Sequence, residues 1–176
     1  MPPRRWGPVA ALVALLQRLS RTRLFVRLGR RVFHRMDRVA FRLSGGRLVV
    51  SDLILPVAML TTTGHRSGQP RTIPLAAIPQ RDDWLVVGSN FGQAQHPAWV
   101  RNLEADPRAV VQRRGRRVPV LAEELDDVQR ERVWPLLTAY WPPFDDYVDR
   151  ADAAGRRIRV FRLRPRALTV EGPDGT

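Results

Sequence analysis

The sequence predicts an α+β domain that is mainly β: one small barrel with helices on its surface, preceded by a basic amphipathic helix. Three observations carry this expectation. A length of 176 residues suits a single domain, and 44% hydrophobic with 27% charged residues is normal for a packed globular fold. From residue 56 to residue 117 short β-type runs alternate with turn residues, as a meander or small barrel reads. Between Thr22 and Ser44 the apolar residues recur at helical spacing instead.

In chain order, Met1 to Leu48 holds 12 Arg against the single acid Asp37, so most of the excess charge lies there. Phe25, Leu28, Val32, Met36, Val39 and Leu43 recur at steps of three and four and form a helical stripe. Arg residues fill most of the remaining surface. Such a helix can lie on an anionic membrane with its apolar face down, or pack on its own domain, which is the commoner fate of an apolar stripe. Pro56–Thr63, Arg71–Pro79, Trp84–Gly88, Arg108–Arg113 and Arg117–Glu123 read as strands, joined first by the Gly- and Pro-bearing loop from Gly64 to Pro70. Pro97 to Ala105 reads as a short helix, with Pro in the first turn and Trp99 and Leu103 on one face. Asp126 to Tyr140 reads as a second helix, ended by Pro142-Pro143, and Arg157 to Leu163 as a last strand. The expected division is 1–47 as the basic helical region, 48–170 as the barrel domain and 171–176 as a tail.

Composition excludes several chemistries. With no Cys there is no disulfide, thiolate metal site or Cys nucleophile, and His34, His65 and His96 are too scattered to signal a zinc cluster. No G-x-S-x-G elbow, G-x-G-x-x-G turn or Walker loop occurs, so hydrolase, ordinary dinucleotide and P-loop readings lack support. A net charge of +13 carried wholly by Arg fits an anionic partner, although a GC-rich genome also prefers Arg to Lys. Charge alone does not make a nucleic-acid binder, and no helix-turn-helix, RNP or zinc-finger spacing accompanies it. The apolar run Val9 to Leu16 is far shorter than the roughly 20 residues of a membrane span, and no A-x-A cleavage site follows it. A cytoplasmic protein without metal is expected, with the N-terminal helix as its one candidate contact with the inner face of the membrane.

The remaining signals are polar loops beside strands, the form expected where a cofactor carries the reaction and the protein orients it. Thr61 to Arg71 combines hydroxyls, amides freed by Gly and two Arg, which can cradle phosphate or carboxylate, or can be an ordinary exposed hairpin. Gly88-Ser89-Asn90-Phe91-Gly92 again offers hydroxyl and amide donors after a strand, or simply ends it. Trp99 and Asn102 could clamp a flat ring and bond to it, or belong to the core.

Three stretches, LTTTGHRSGQPRTIPL at 60–75, VVGSNFGQAQHPAWVRNLEADP at 86–107 and AYWPPFDDYVDR at 139–150, resemble the deazaflavin (F420)-dependent nitroreductase and quinone reductase family of actinobacteria. The resemblance covers roughly residues 45 to 165. It implies a split β-barrel of the FMN-binding-like type that binds reduced coenzyme F420 and passes a hydride to a small electron-poor acceptor such as a quinone, nitroaromatic or enone. It further implies that His65, Arg66, Ser67 and Arg71 meet the cofactor's phosphate and oligoglutamate tail. Val87, Gly88, Ser89 and Asn90 would then lie near its ring or linker, and Trp99, Val100, Arg101 and Asn102 would close the same site. Trp141, Phe144 and Tyr147 match an aromatic cluster at the acceptor pocket, with Tyr147 as candidate proton or hydrogen-bond donor, or as a wall of the pocket while water supplies the proton. Two departures stand out: Asn90 replaces a Lys of some relatives, and Trp141 and Phe144 replace Tyr residues of some quinone-reducing members. Two other readings accompany this one, an FMN-dependent reductase of the same barrel class and a deazaflavin-binding carrier or membrane-surface module with little turnover.

Overall fold

A computed structural model describes residues 35–37, 39–44, 50–53 and 55–166, together with Leu15 and Arg18. Most of the expected N-terminal helix, Phe25, Leu28 and Val32 included, lies outside the described residues, as does the 171–176 tail.

Six antiparallel strands close into a barrel in the order β1-β2-β3-β6-β5-β4. They are β1 (Val57–Thr63), β2 (Pro70–Gln80), β3 (Asp83–Val87), β4 (Arg108–Arg113), β5 (Arg116–Glu124) and β6 (Val160–Pro165). β1 closes the ring by pairing with both β2 and β4, with Leu60 opposite Ile73 on one side and Val111 on the other. The hairpin between β4 and β5 turns at Arg114 (φ 50°) and Gly115 (φ 80°), two left-handed residues whose twist matches that of the flanking strands.

Pleat alternation divides the core in two. In β3, Val86 points into the barrel with Leu60, Val111, Val120, Phe161 and Leu163, whereas Leu85 and Val87 point out towards helices. This double burial explains why Trp84 to Val87 reads as a continuous apolar run. Trp99, Val100 and Leu103 of the Ala98–Ala105 helix belong to the barrel core, so that helix is fixed by its own apolar face. The second core packs the Asp127–Tyr140 and Phe144–Asp152 helices on the outer face of β3 and β6 through Val133, Leu137, Phe144, Tyr147 and Ala151. Full burial of a Val, Leu or Phe side chain such as Val133, Leu137 or Phe144 contributes about 1.5–3 kcal/mol. Asp126 starts the first of these helices by a capping box, accepting from the Gln129 N–H at 2.8 Å while the Gln129 carboxamide accepts from the Asp126 N–H at 3.1 Å.

Three observations differ from the sequence reading. A helix stands at Phe144–Asp152, where none was expected; Phe144, Tyr147 and Ala151 bury at helical spacing, a signal hidden by the two acids beside the Pro pair. The last strand begins at Val160 rather than Arg157, because Arg156 and Ile158 turn inward before the ladder forms. The described part of the N-terminal stripe is not packed on the domain. Residues 35–37 and 39–43 are helical, but Met36, Val39 and Leu43 are exposed, Leu43 at 85%. The opposite side of that turn faces inward instead. Asp37, 3% exposed, accepts from the Ser51 N–H at 3.0 Å and the Ser51 hydroxyl at 2.7 Å. The Val50–Leu53 turn is held in place in turn by Asp52, which accepts from Arg113 at 2.6 Å and from the Val57 N–H at 3.0 Å.

Candidate functional site

One cavity of about 1170 Å³ runs beside β2, between the β1–β2 loop, the 88–93 loop and the helices. At one end the β1–β2 loop contributes His65 and Arg66, joined by Arg101 from the Ala98–Ala105 helix. In the middle, the β2 residues Ile73 to Ala76 and Val87, Ser89, Asn90 and Phe91 after β3 form the walls, with Trp99 beside them. At the far end Trp141, Phe144 and Tyr147 meet Leu55, Val57 and the N-terminal segment at Arg35 and Asp37. A cationic, hydrogen-bonding end is thereby joined by one continuous space to an aromatic end that also carries Arg35 and Asp37.

The β1–β2 loop is held from behind by a single carboxamide. Asn102, 3% exposed, accepts from the His65 N–H at 3.0 Å, lies 3.0 Å from His65 Nδ1, and donates to the Thr62 hydroxyl at 2.9 Å. Gly64 keeps the turn tight: a Cβ there would stand 2.7 Å from Ser67 Oγ and 3.1 Å from the Gln69 carbonyl oxygen. Ser67 accepts from the Gln69 N–H at 3.3 Å and from Arg71 at 3.4 Å, bracing the loop's outer side.

The 88–93 loop has an unusual backbone: Asn90 (φ 43°), Phe91 (φ 56°) and Gly92 (φ 75°) are left-handed in succession. The Asn90 carboxamide donates to the Gln95 carbonyl at 2.9 Å, and Phe91 meets Tyr147 edge to face with centroids 5.7 Å apart. Gly92 packs so closely on the Tyr147 carbonyl that a Cβ would lie 2.8 Å from it. Tyr147 itself is 2% exposed, and its hydroxyl oxygen accepts from the Trp141 indole at 3.3 Å. The Arg150 guanidinium lies 5.0 Å from its ring centroid.

Of the residues singled out in the sequence, His65, Arg66, Val87, Ser89, Asn90, Trp99, Arg101, Trp141, Phe144 and Tyr147 line this cavity together. Five do not. Val100 is fully buried in the barrel core, and Gly88 packs against it, with room for a Cβ only 3.0 Å from Val100 Cγ2. Asn102 works behind the loop, while Ser67 and Arg71 bond to each other on its outer side. These five shape the walls rather than form them.

Sequence reasoning missed His96 and Arg156. His96 lines the cavity with its Nδ1 buried and without a hydrogen-bond partner. Burial, then the Arg156 and Arg159 guanidiniums, hold its pKa below the usual imidazole value of 6.5, against an opposing pull from Glu104. Arg159 is engaged elsewhere, pairing with Glu104 and Glu124, which hold its pKa above the ordinary arginine value. Arg156 supports the 88–93 loop from beneath, and no sequence spacing reveals that contact. Among the described residues no group of His, Cys, Asp or Glu could hold a metal ion, and no helix is long and apolar enough to cross a membrane.

Comparison with known proteins bears on this geometry. The family model described as F420H(2)-dependent quinone reductase matches residues 33–165. A Mycobacterium tuberculosis (strain ATCC 25618 / H37Rv) protein named as a candidate F420H(2)-dependent quinone reductase is 34% identical over 112 residues, which is 64% of this chain and 92% of that protein. Another from the same strain, named F420H(2)-dependent quinone reductase, is 32% identical over 84 residues, 47% of this chain and 56% of its own length. Among solved structures, an F420-H2 dependent reductase (FDR-A) superposes with TM-score 0.56 at 34% identity, covering 62% of this chain and 94% of that one. A structure described as a domain-swapped dimer gives TM-score 0.59 at 29% identity, covering 78% and 95%. The likeness places the six-stranded barrel in the split β-barrel class that the sequence resemblance implied.

Proposed function

The chain belongs to the F420H(2)-dependent quinone reductase family, and on that premise we propose how its own residues bind the cofactor and act on the acceptor. It is an oxidoreductase that uses coenzyme F420 and transfers a hydride to a quinone-type acceptor. The FMN reading yields to this cofactor. A carrier without turnover has no use for the aromatic end of the cavity, where Trp141, Phe144 and Tyr147 meet.

The observation that carries the site assignment is the union of Arg66, Arg101 and His65 with an aromatic cluster in one cavity. Arg66, Arg101 and His65 at one end suit a polyanionic tail, because guanidinium-to-anion hydrogen bonds are roughly twice as strong as neutral ones. Apolar walls at Ile73, Leu75, Val87 and Trp99 suit a flat ring, and the donor set therefore fits a deazaflavin with its phosphate and glutamates. The cavity's volume of about 1170 Å³ suits a ligand larger than those of the 300–1,000 Å³ pockets that hold drug-sized molecules.

When bound, the reduced deazaflavin supplies a hydride from carbon. The chain's own work is then orientation, exclusion of water and management of charge. A quinone that accepts a hydride gains negative charge on oxygen and needs one proton to become the hydroquinone. Tyr147 is the donor assigned to that oxygen: the Trp141 indole and the Phe91 edge fix the orientation of its phenol.

A peripheral membrane contact is proposed for the N-terminal segment of an otherwise cytoplasmic protein. Met36, Val39 and Leu43 form an exposed apolar face flanked by the exposed Arg35 and Arg42, the arrangement that lies in an anionic lipid surface. Arg35 and Asp37 of the same segment line the cavity's far end, so a lipid-soluble acceptor would enter beside it. Flotation with anionic vesicles should be lost in Leu43→Asp; flotation of that variant at the wild-type level would remove the contact.

The deciding experiment titrates purified protein with F420 and with FMN, then mixes F420H2-loaded enzyme with menaquinone. Preference for F420, rapid oxidation in the wild type, and oxidation slowed about 10²-fold or more in Tyr147→Phe at unchanged F420 affinity are expected. Oxidation by Tyr147→Phe at the wild-type rate would reduce Tyr147 to a wall of the pocket.

A further inference from the structure

Arg156 follows the Phe144–Asp152 helix and is 5% exposed. A buried guanidinium ordinarily meets a carboxylate, because the loss of hydration has to be offset. Here all its hydrogen bonds run to main-chain carbonyls of one loop. Nε donates to Gln93 O at 2.6 Å, Nη1 to Gly88 O at 2.9 Å and Nη2 to Ser89 O at 2.6 Å. Burial lowers its pKa from the ordinary arginine value, with Asp152 pulling the other way from a distance.

Three carbonyl oxygens brought to one point repel each other unless a cation lies between them. The segment they belong to also contains Asn90, Phe91 and Gly92 in consecutive left-handed conformations, a region that Gly and Asn visit readily but a bulky residue such as Phe91 adopts only when its surroundings impose it. Lysine could not supply this contact, since its point charge cannot address three acceptors in a planar fork. Gripped from beneath, the loop turns Ser89, Asn90 and Phe91 to the cavity.

We propose that Arg156 is a positioning residue of the cofactor site, whose guanidinium sets the 88–93 loop in its binding conformation before any ligand arrives. This rests on the reading that F420 lies beside that loop. A preset loop binds without the entropic cost of ordering itself, so the effect falls on affinity as well as on loop order. The Arg156 charge also contributes, after burial, to lowering the His96 pKa.

The test is amide hydrogen exchange of the free protein, read beside F420 titration, for wild type, Arg156→Lys and Arg156→Gln. Exchange at residues 88–93 is expected to quicken by about tenfold or more in Arg156→Lys, with the β4 amides as protected as in wild type. F420 affinity should fall by about tenfold in the same variant. Unchanged protection of 88–93 in Arg156→Lys would overturn the proposal, as would a loosened loop with wild-type affinity. Loss of protection throughout the barrel would make Arg156 a general staple and overturn it too. Should Arg156→Gln fail to fold, the Lys variant decides. Failure of wild type to bind F420 would refute the site assignment instead, and the loop exchange would still show whether Arg156 orders 88–93.

Discussion

Asn102 Oδ1 accepts from the His65 N–H at 3.0 Å while Asn102 Nδ2 donates to Thr62 Oγ1 at 2.9 Å, so one buried carboxamide ties the β1–β2 loop to its own strand. Truncation leaves the His65 amide hydrogen and the buried Thr62 hydroxyl without this partner. Asn102→Ala should cost about 1–3 kcal/mol in urea unfolding, and should weaken F420 binding because His65 and Arg66 lose their fixed positions. Wild-type stability together with wild-type affinity would show that other contacts hold the loop.

Arg66 and Arg71 sit in the same motif but not in the same place. Arg66 lines the cavity, whereas Arg71 reaches Ser67 Oγ at 3.4 Å on the loop's outer side. Arg66→Ala should weaken F420 about tenfold or more, the effect shrinking at high salt, and Arg71→Ala should weaken it less. A deazaflavin without the phosphate and glutamates should bind both variants as it binds wild type. Equal loss for the tail-less compound would move Arg66 from the tail to the ring.

Much of this was legible in the sequence because strands and short helices announce themselves through pleat and helical period. Trp84 to Val87 and Trp99 with Leu103 are where expected, and the loops carrying His65, Arg66, Ser89 and Asn90 do converge on one cavity. What was illegible is contact made by folding. Nothing in the spacing of Arg156 and Gly88 shows that their side chain and carbonyl meet at 2.9 Å. Nor does the motif around Asn102 show that its carboxamide faces Thr62 rather than the cavity. At the described end of the N-terminal stripe the same limit holds: apolar periodicity specifies a face but not what covers it, and Asp37 rather than Met36 turns inward.

Gly92 is required twice over. Its φ of 75° is left-handed, and a Cβ would stand 2.8 Å from both the Tyr147 carbonyl and Arg150 Cβ. Gly92→Ala therefore combines backbone strain of about 1 kcal/mol with a clash against the helix that carries Tyr147. Lower thermal stability and slower quinone-dependent oxidation of bound F420H2 are expected together. Loss of stability without loss of rate would show that the loop and helix yield without disturbing the acceptor end.

His96 makes stability depend on pH in a definite direction. Its folded pKa lies below 6.5, through burial first and then the charges of Arg156, Arg159 and Arg101, against Glu104. Between that folded value and 6.5 the unfolded chain holds the proton and the folded chain does not, so unfolding takes up protons. The contribution is complete above 6.5 and is lost as pH falls through the window towards the folded pKa. Melting temperatures measured between about pH 8 and pH 5 should fall more steeply for wild type than for His96→Gln, which cannot titrate. The difference between the two curves belongs to His96, since the other titrating groups are common to both. Parallel curves would mean that the cavity hydrates the ring well enough for it to protonate as it does in the unfolded chain, and that its unpartnered Nδ1 meets water there.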